Sequence, residues 1–352
     1  MLAEKVGLAP QTVTNITGSL IGRGIVLEEP LPLKGKGRNA LALRLNYAGF
    51  FILSVRITWE EILVILNDLD GGVLTEERLP LGRGTQALDV LKTTMEGMIS
   101  RGEGRAIAAI VISVAGIVND RDAIVVEAYS LCWRQLNLRK ELAGLGIPVF
   151  VLNDVNILAY YENAVARGST DFLLIKVEDG VGSALVINRT LVKGANKVSG
   201  ELGHLTAAKS DTTVQCFCGR KNCITQFITS TALERRLGKP YAKIVEEARQ
   251  GVPGTLAVIE DIGILLAPKI LDLIVLLDLD RVVLLGRVIE DFEDIIYPRI
   301  RSEIQSNISF WVRFDKLEVK KYDNFPRICN SFLMEHYFSE QDDFYFLWDP
   351  VI

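Results

Sequence analysis

The residues of this chain with the plainest chemistry are one histidine and three cysteines: His204, Cys216, Cys218 and Cys223. They lie within the stretch GELGHLTAAKSDTTVQCFCGRKNCITQFIT, residues 200–229. Imidazole and thiolates are ligands that zinc prefers, and four of them complete a tetrahedron. Gly219 lets the Cys-x-Cys-Gly-x-x-x-Cys segment fold back tightly enough to aim three sulfurs at one point. The whole chain has only five cysteines and two histidines, so this grouping predicts a structural Zn2+ held by His204, Cys216, Cys218 and Cys223. The competing reading is a loop of ordinary or redox-active cysteines. Four protein ligands leave no position for an activated water, so the metal would order a loop, and Glu201 beside His204 would be positioned with it.

The elements that must hold these residues belong to a chain of 352 residues, long enough for a small domain plus a larger one, or for three units. Hydrophobic residues make up 49% and charged residues 24%, the composition of a soluble globular protein. No cleavable signal is read at the start, because the first residues run into a polar amphipathic segment. The most apolar runs, 106–118 and 262–279, are respectively too short for a bilayer and interrupted by Pro268, Lys269, Asp272 and Asp278, which excludes a membrane role. With the cysteine cluster, this predicts a cytoplasmic location. The net charge of −5 hides an asymmetry. Residues 1–46 carry Lys5, Arg23, Lys34, Lys36, Arg38 and Arg44 against Glu4, Glu28 and Glu29, a net +3, so nucleic acid is sought at this end.

Residues 2–26 read as two short helices joined by a glycine-containing turn. Leu2, Ala3, Val6 and Leu8 form one apolar face; Val13, Ile16, Leu20 and Ile21 form the next. Gln11, Thr12, Thr14 and Asn15 are left on the outer face at the start of the second helix, where a recognition helix meets base edges. Residues 25–45 read as a strand, a Lys34-Gly-Lys-Gly-Arg38 turn and the alternating strand 40–45. This is a wing whose Lys34, Lys36 and Arg38 would lie along phosphates. A helical hairpin used only for packing is the alternative. A DNA-binding domain of this kind normally has one more helix ahead of the first seen here, and that helix is expected to lie outside the sequence.

Three strands follow over 50–81, then a helix over 85–101, a buried strand over 106–118, a loop, a helix over 136–145 and a strand over 148–152. A second set begins with a helix over 156–167 and strands at 172–177, 182–187 and 190–193. Past the cysteine-rich insertion come helices at 230–237, 241–250 and 255–277, and a strand at 281–285. Further on, 312–322 suggests a strand and 331–338 a helix, and the last residues are assigned nothing. The β-β-β-α-β-α order occurs twice, predicting an α/β protein of two related lobes with a cleft between them.

At these residues the chain resembles the ROK family, which contains sugar kinases and sugar-responsive transcriptional repressors of the xylose-operon and N-acetylglucosamine type. Glu201-Leu-Gly-His204 followed by Cys216-Phe-Cys-Gly-Arg-Lys-Asn-Cys223 matches the family's E-x-G-H and C-x-C-G-x-x-x-C. Further matches are Leu152-Asn-Asp-Val-Asn156, Gly116, Arg281-Val-Val-Leu-Leu-Gly286, Gly37-Arg38 and residues 43–46. The resemblance covers roughly 2–304. It implies a two-lobed actin-like, RNase H-like ATPase fold behind a winged helix-turn-helix domain. The implied domains are 1–46 (DNA-binding), 47–155 (N-terminal lobe) and 156–352 (C-terminal lobe with the zinc insertion). It also implies a sugar site in the cleft, with Asn153, Asp154, Glu201 and His204 contacting sugar hydroxyls and Asp154 at the position of the kinases' catalytic base.

The phosphate side departs from the kinases. Their Asp-x-Gly-Gly-Thr loop is Arg56-Ile-Thr-Trp-Glu60 here, their second glycine-rich loop carries Glu178 and Asp179, and their triple glycine is Leu285-Gly286-Arg287. The sugar side departs too: the family's glutamate two residues after the last cysteine is Thr225, and Tyr129-Ser-Leu-Cys-Trp133 replaces a Pro-Asn-Leu form. The expectation is therefore no enzyme but a repressor of carbohydrate-use genes that binds operator DNA as a homodimer or homotetramer and responds to a sugar effector. The alternatives are an ATP-dependent sugar kinase and a degenerate, non-inducible family member.

Overall fold

Proline at a first helical turn and a glycine-rich exit set the opening of the chain. Helix α1 (Leu2–Val6) is followed by α2 (Pro10–Gly22), and Thr14 returns its hydroxyl to the Pro10 carbonyl at 2.9 Å. Strand β1 (Val26–Pro30) pairs antiparallel with β2 (Leu41–Leu45), Val26 opposite Leu45. A small core of Ile25, Val26 and Phe50, packed by Leu20, Ile21, Leu45 and Leu69, ties these elements together, while α1 and α2 themselves contribute no buried residue. This computed structural model describes residues 2–22, 24–30, 41–81, 86–102, 106–166, 171–207, 213–309, 311–312, 314 and 316–339. The wing tip expected at Lys34, Lys36 and Arg38 lies outside the described residues.

The next strands, β3 (Phe51–Ile57), β4 (Glu61–Asp68) and β5 (Val73–Pro80), form an antiparallel meander. The near-continuous apolar runs of β3 and β4 are buried, whereas β5 alternates as half-exposed strands do. Helix α3 (Ala87–Arg101) buries Leu91, Met95 and Met98, the i, i+4, i+7 stripe of an amphipathic helix, and β6 (Ile107–Val114) is the expected buried strand.

Residues 117–137 depart from the expected loop and helix start. They form a three-stranded antiparallel sheet of β7 (Ile117–Asn119), β8 (Ile124–Ala128) and β9 (Trp133–Asn137). Leu136 pairs with Val125 inside it, and the helix is reduced to α4 (Leu138–Glu141) and one 3-10 turn. Positive φ at Ala123, Cys132 and Gln135 interrupts the strands, so no clean period of two survives in the sequence.

After β10 (Val149–Asn153) comes α5 (Asp154–Val165), then β11 (Phe172–Val177), β12 (Val181–Ile187) and β13 (Thr190–Leu191). The cysteine segment leads into α6 (Thr225–Ile228), α7 (Ser230–Leu237), α8 (Tyr241–Arg249) and the long α9 (Pro253–Leu277). The chain closes with β14 (Arg281–Leu285), α10 (Arg287–Asp291), α11 (Glu293–Asn307), β15 (Lys316–Val319) and α12 (Phe325–Ser339). Helices α10 and α11 were not foreseen. No described helix is long and apolar enough to cross a membrane.

The chain divides into two compact units, Met1–Ile112 with Arg139–Phe150, and Ser113–Leu138 with Val151–Gln341. One five-stranded sheet has the order β10-β6-β3-β4-β5 and the other β13-β12-β11-β14-β15, the same order read from opposite ends. Each is a mixed α/β arrangement in which three successive strands pair and two later strands join beside the first, as the twofold sequence pattern predicts.

Candidate functional site

Everything that forms the site lies in the second unit. At the joint of β10 and α5, the Asn153 side-chain oxygen caps the helix, accepting from the backbone N–H of Val155 at 2.9 Å and of Asn156 at 3.0 Å. Its amide nitrogen donates to the Gly116 carbonyl at 2.9 Å and toward Asp154 Oδ1 at 3.3 Å. Both ends of the amide are thus engaged within the protein, so Asn153 acts on Asp154 and the helix start.

Asp154 is the first residue of α5, and its Oδ2 accepts from Lys176 Nζ at 3.0 Å. The close approach of α5 to the sheet depends on Gly182: a Cβ there would come within 2.4 Å of Val155 Cγ2. Lys176, on β11, also meets Glu178 Oε2 at 2.7 Å. Burial works to lower the proton affinity of Lys176, but the charges of Asp154 and Glu178 more than reverse it, and its pKa lies above the ordinary lysine range. Lys176 was missed at the sequence level; the signal was a lone cation inside the apolar strand Phe172-Leu-Leu-Ile-Lys-Val177.

Glu201 and His204 share one tight turn, Leu202–His204 with Glu201 leading it. Gly200 sets its path, with φ +91° and a Cβ position only 2.2 Å from the Ser183 carbonyl oxygen, a place no side chain can occupy. Burial, and then the charge of Asp154, raise the pKa of Glu201 above the usual carboxylate value. His204 turns Nε2 toward Glu201 Oε2 at 3.7 Å and Nδ1 toward Cys216 Sγ at 3.6 Å. Burial and the charge of Arg220 lower its pKa, favouring the neutral imidazole that a metal ligand must be.

The four candidate ligand atoms of His204, Cys216, Cys218 and Cys223 lie within 4.8 Å of one another. Cys218 Sγ and Cys223 Sγ are 3.6 Å apart. A tetrahedral ion with soft-ligand bond lengths places its sulfur and nitrogen ligands roughly 3.6–3.8 Å apart, so the group fits such an ion. Backbone pairing shapes the knuckle, with bridges Thr206 to Cys223 and Gln215 to Lys221, and Gln226 Nε2 points at Cys216 Sγ at 3.6 Å. Phe217, exposed between two of the cysteines, stacks on Tyr129 with ring centres 4.9 Å apart and meets His204 edge-on at 5.1 Å. Thr225 is buried in α6, its carbonyl accepting from the Thr229 hydroxyl at 3.0 Å.

The loop after β11 is closed by its own acid. Asp179 accepts from the Ser230 hydroxyl at the start of α7 and from Arg287 Nη2 at 3.0 Å, and the Arg287 guanidinium stacks on Tyr241 at 4.8 Å. A helix N-terminus, a hydroxyl and a guanidinium make a natural anion cradle, and here a carboxylate of the chain takes it.

In the first unit, Gln11, Thr12, Thr14 and Asn15 are all exposed on α2, with Gln11 Nε2 donating to Asn15 Oδ1 at 3.1 Å. Lys34, Lys36 and Arg38 lie outside the described residues.

Comparison with known proteins gives a consistent picture. The sequence profile of the ROK family matches residues 52–323. The xylose repressor of Bacillus spizizenii is 24% identical over 351 residues, covering 96% of this chain and 90% of that protein. The N-acetylglucosamine repressor of Escherichia coli O157:H7 is 27% identical over 329 residues, covering 87% of this chain and 80% of its own length. Among solved structures, a ROK family transcriptional regulator described as a homolog of the E. coli MLC protein superposes with a TM-score of 0.79 at 24% identity, covering 94% of this chain and 90% of that one. A ROK family glucokinase from Streptomyces griseus in complex with glucose and AMPPNP gives a TM-score of 0.65 at 22% identity, covering 80% of this chain and 97% of its own.

Proposed function

We propose, since the chain belongs to the ROK family, that it is a DNA-binding transcriptional repressor of carbohydrate-use genes whose operator affinity is modulated by a bound sugar. The observation that carries this reading is the segment ahead of the family match. The similarity to the xylose repressor extends over 96% of the chain, whereas the glucokinase fold accounts for 80% of it. That leading segment, residues 1–46, is read as a winged helix-turn-helix domain. Gln11, Thr12, Thr14 and Asn15 on α2 face base edges, and Lys34, Lys36 and Arg38 hold phosphates. The protein binds a symmetric operator as a homodimer or homotetramer.

Asp154 and Glu201 supply acceptors for sugar hydroxyls, Asn153 orients Asp154, and His204 joins the sugar side to the metal. The metal is a structural Zn2+ held by His204, Cys216, Cys218 and Cys223, with no open coordination position. A sugar with different affinity for two arrangements of the protein shifts their populations and with them the DNA affinity.

The kinase alternative is favoured by the position of Asp154 and opposed by its surroundings. Lys176 pairs with the carboxylate, and Asp179 fills the anion cradle made by Ser230 and Arg287. The reading is therefore of a protein that is not an enzyme. A fluorescence anisotropy titration of the full chain against DNA from its own upstream region tests this function. Binding is expected at nanomolar protein and is expected to weaken when the right monosaccharide is added. Absence of specific DNA binding, together with sugar-dependent ATP turnover abolished by Asp154→Asn, would reverse the assignment.

A further inference from the structure

We propose that Lys176 and Glu178 make the sugar site selective for an uncharged, unphosphorylated sugar and exclude sugar phosphates and sugar acids. The inference rests on the sugar-site reading above and names the chemical class of its ligand. A lysine in a carbohydrate site ordinarily recruits a phosphate or carboxylate. Here the ammonium is already committed, at 3.0 Å from Asp154 Oδ2 and 2.7 Å from Glu178 Oε2, with its side chain only 19% exposed. Two of its three N–H donors are taken, and a phosphate on the third would sit at short range from both carboxylates.

The charge balance points the same way. Asp154 and Glu178 place two carboxylates against a single ammonium, so an arriving dianion meets an excess of like charge at short range. A neutral hydroxyl meets acceptors instead. Asp154 is held from both sides, by Lys176 on Oδ2 and by Asn153 Nδ2 at 3.3 Å from Oδ1, which leaves its remaining lone pairs fixed in direction for hydroxyl donors. Lys176 is thus a positioning residue for Asp154, and Glu178 is the group that keeps Lys176 from serving an anion. Glu178 is held by backbone bonds that its side chain does not affect: its N–H donates to the Gly180 carbonyl at 2.9 Å, and its carbonyl accepts from Ser230 N–H at 2.9 Å. Glu178→Gln therefore changes the charge with the loop intact.

Isothermal titration of the full chain with glucose, N-acetylglucosamine and xylose, and with the 6-phosphates of the first two, tests the proposal. At least one neutral sugar is expected to bind, and its phosphorylated form at least about 100-fold more weakly where the pair is available. Glu178→Gln is expected to narrow that ratio by roughly 10-fold with little change for the neutral sugar, and Lys176→Met to weaken the neutral sugar by roughly 10-fold without admitting the phosphate. A phosphate bound as tightly as its neutral form, or a ratio unmoved by Glu178→Gln, overturns the proposal and leaves the sugar-site reading standing. A chain that binds none of the five overturns the sugar site itself, whatever its DNA binding.

Discussion

His204 has its two ring nitrogens committed in opposite directions, Nδ1 to the cysteine knuckle and Nε2 to Glu201. A metal ion bound at the first would fix the ring, and the ring would then hold the carboxylate. Cys218→Ser is accordingly expected to drop the bound metal, counted by atomic absorption, from one per chain to none and to weaken sugar binding by about 10–100-fold. Normal sugar affinity in the metal-free variant would show that the knuckle does not order the site. Asn153 makes a similar point. Asn153→Ala removes the cap of α5 and is expected to cost about 1 kcal/mol of stability. Asn153→Asp keeps a capping oxygen but loses the donor to Gly116, so its chemical-denaturation midpoint should fall between those of wild type and alanine. At this scale the convergence of His204 with Cys216, Cys218 and Cys223 was legible, because rare residue types at close spacing have few other uses. The pairing of Asp154 with Lys176 was not, because it joins two residues that only the packing of α5 on β11 brings together.

At the scale of elements, β14 is anchored to α5 and β15 by buried charge. Arg281, 4% exposed, pairs with Glu162, which is 0% exposed, and with Glu318 at 2.7 Å; Lys320 reaches Glu162 at 2.8 Å. Removing Arg281 leaves the fully buried Glu162 with only the part-exposed Lys320 to balance it. Arg281→Met, and more so Arg281→Met with Lys320→Met, is therefore expected to destabilise, the double variant by about 3–5 kcal/mol, read as a lower denaturant midpoint with an unchanged slope. An effect under about 1 kcal/mol would mean that water reaches the network. Buried strands were legible from their near-continuous apolar runs, as β3 and β4 show, and the long amphipathic helix α3 from its period. The sheet of β7–β9 was not, since short strands interrupted by left-handed residues present no period, and α11 carries Pro298 inside the helix, which argues locally against one.

For the whole molecule, operator recognition separates into charge and base reading. Gln11→Ala or Asn15→Ala on α2 is expected to weaken specific operator binding by about 10-fold or more while leaving binding to random DNA and its salt dependence unchanged. Equal losses on both DNAs would place these side chains on phosphates instead. The twofold repeat of strand order was legible in the sequence because each half carries the same run of elements.

The two leading helices contribute no buried side chain; Leu2, Val6 and Ile16 stand exposed on them and Leu8 in the turn between them. Their order rests on the small cluster at Ile25, Val26 and Phe50. Helices of this length are marginal in water without tertiary burial. Their amides should therefore exchange with solvent deuterium sooner than those of α3 or β4, and operator DNA should slow that exchange. Part of the free energy of operator binding is then spent on ordering the reading head, so repression should fail on warming well before the chain as a whole unfolds.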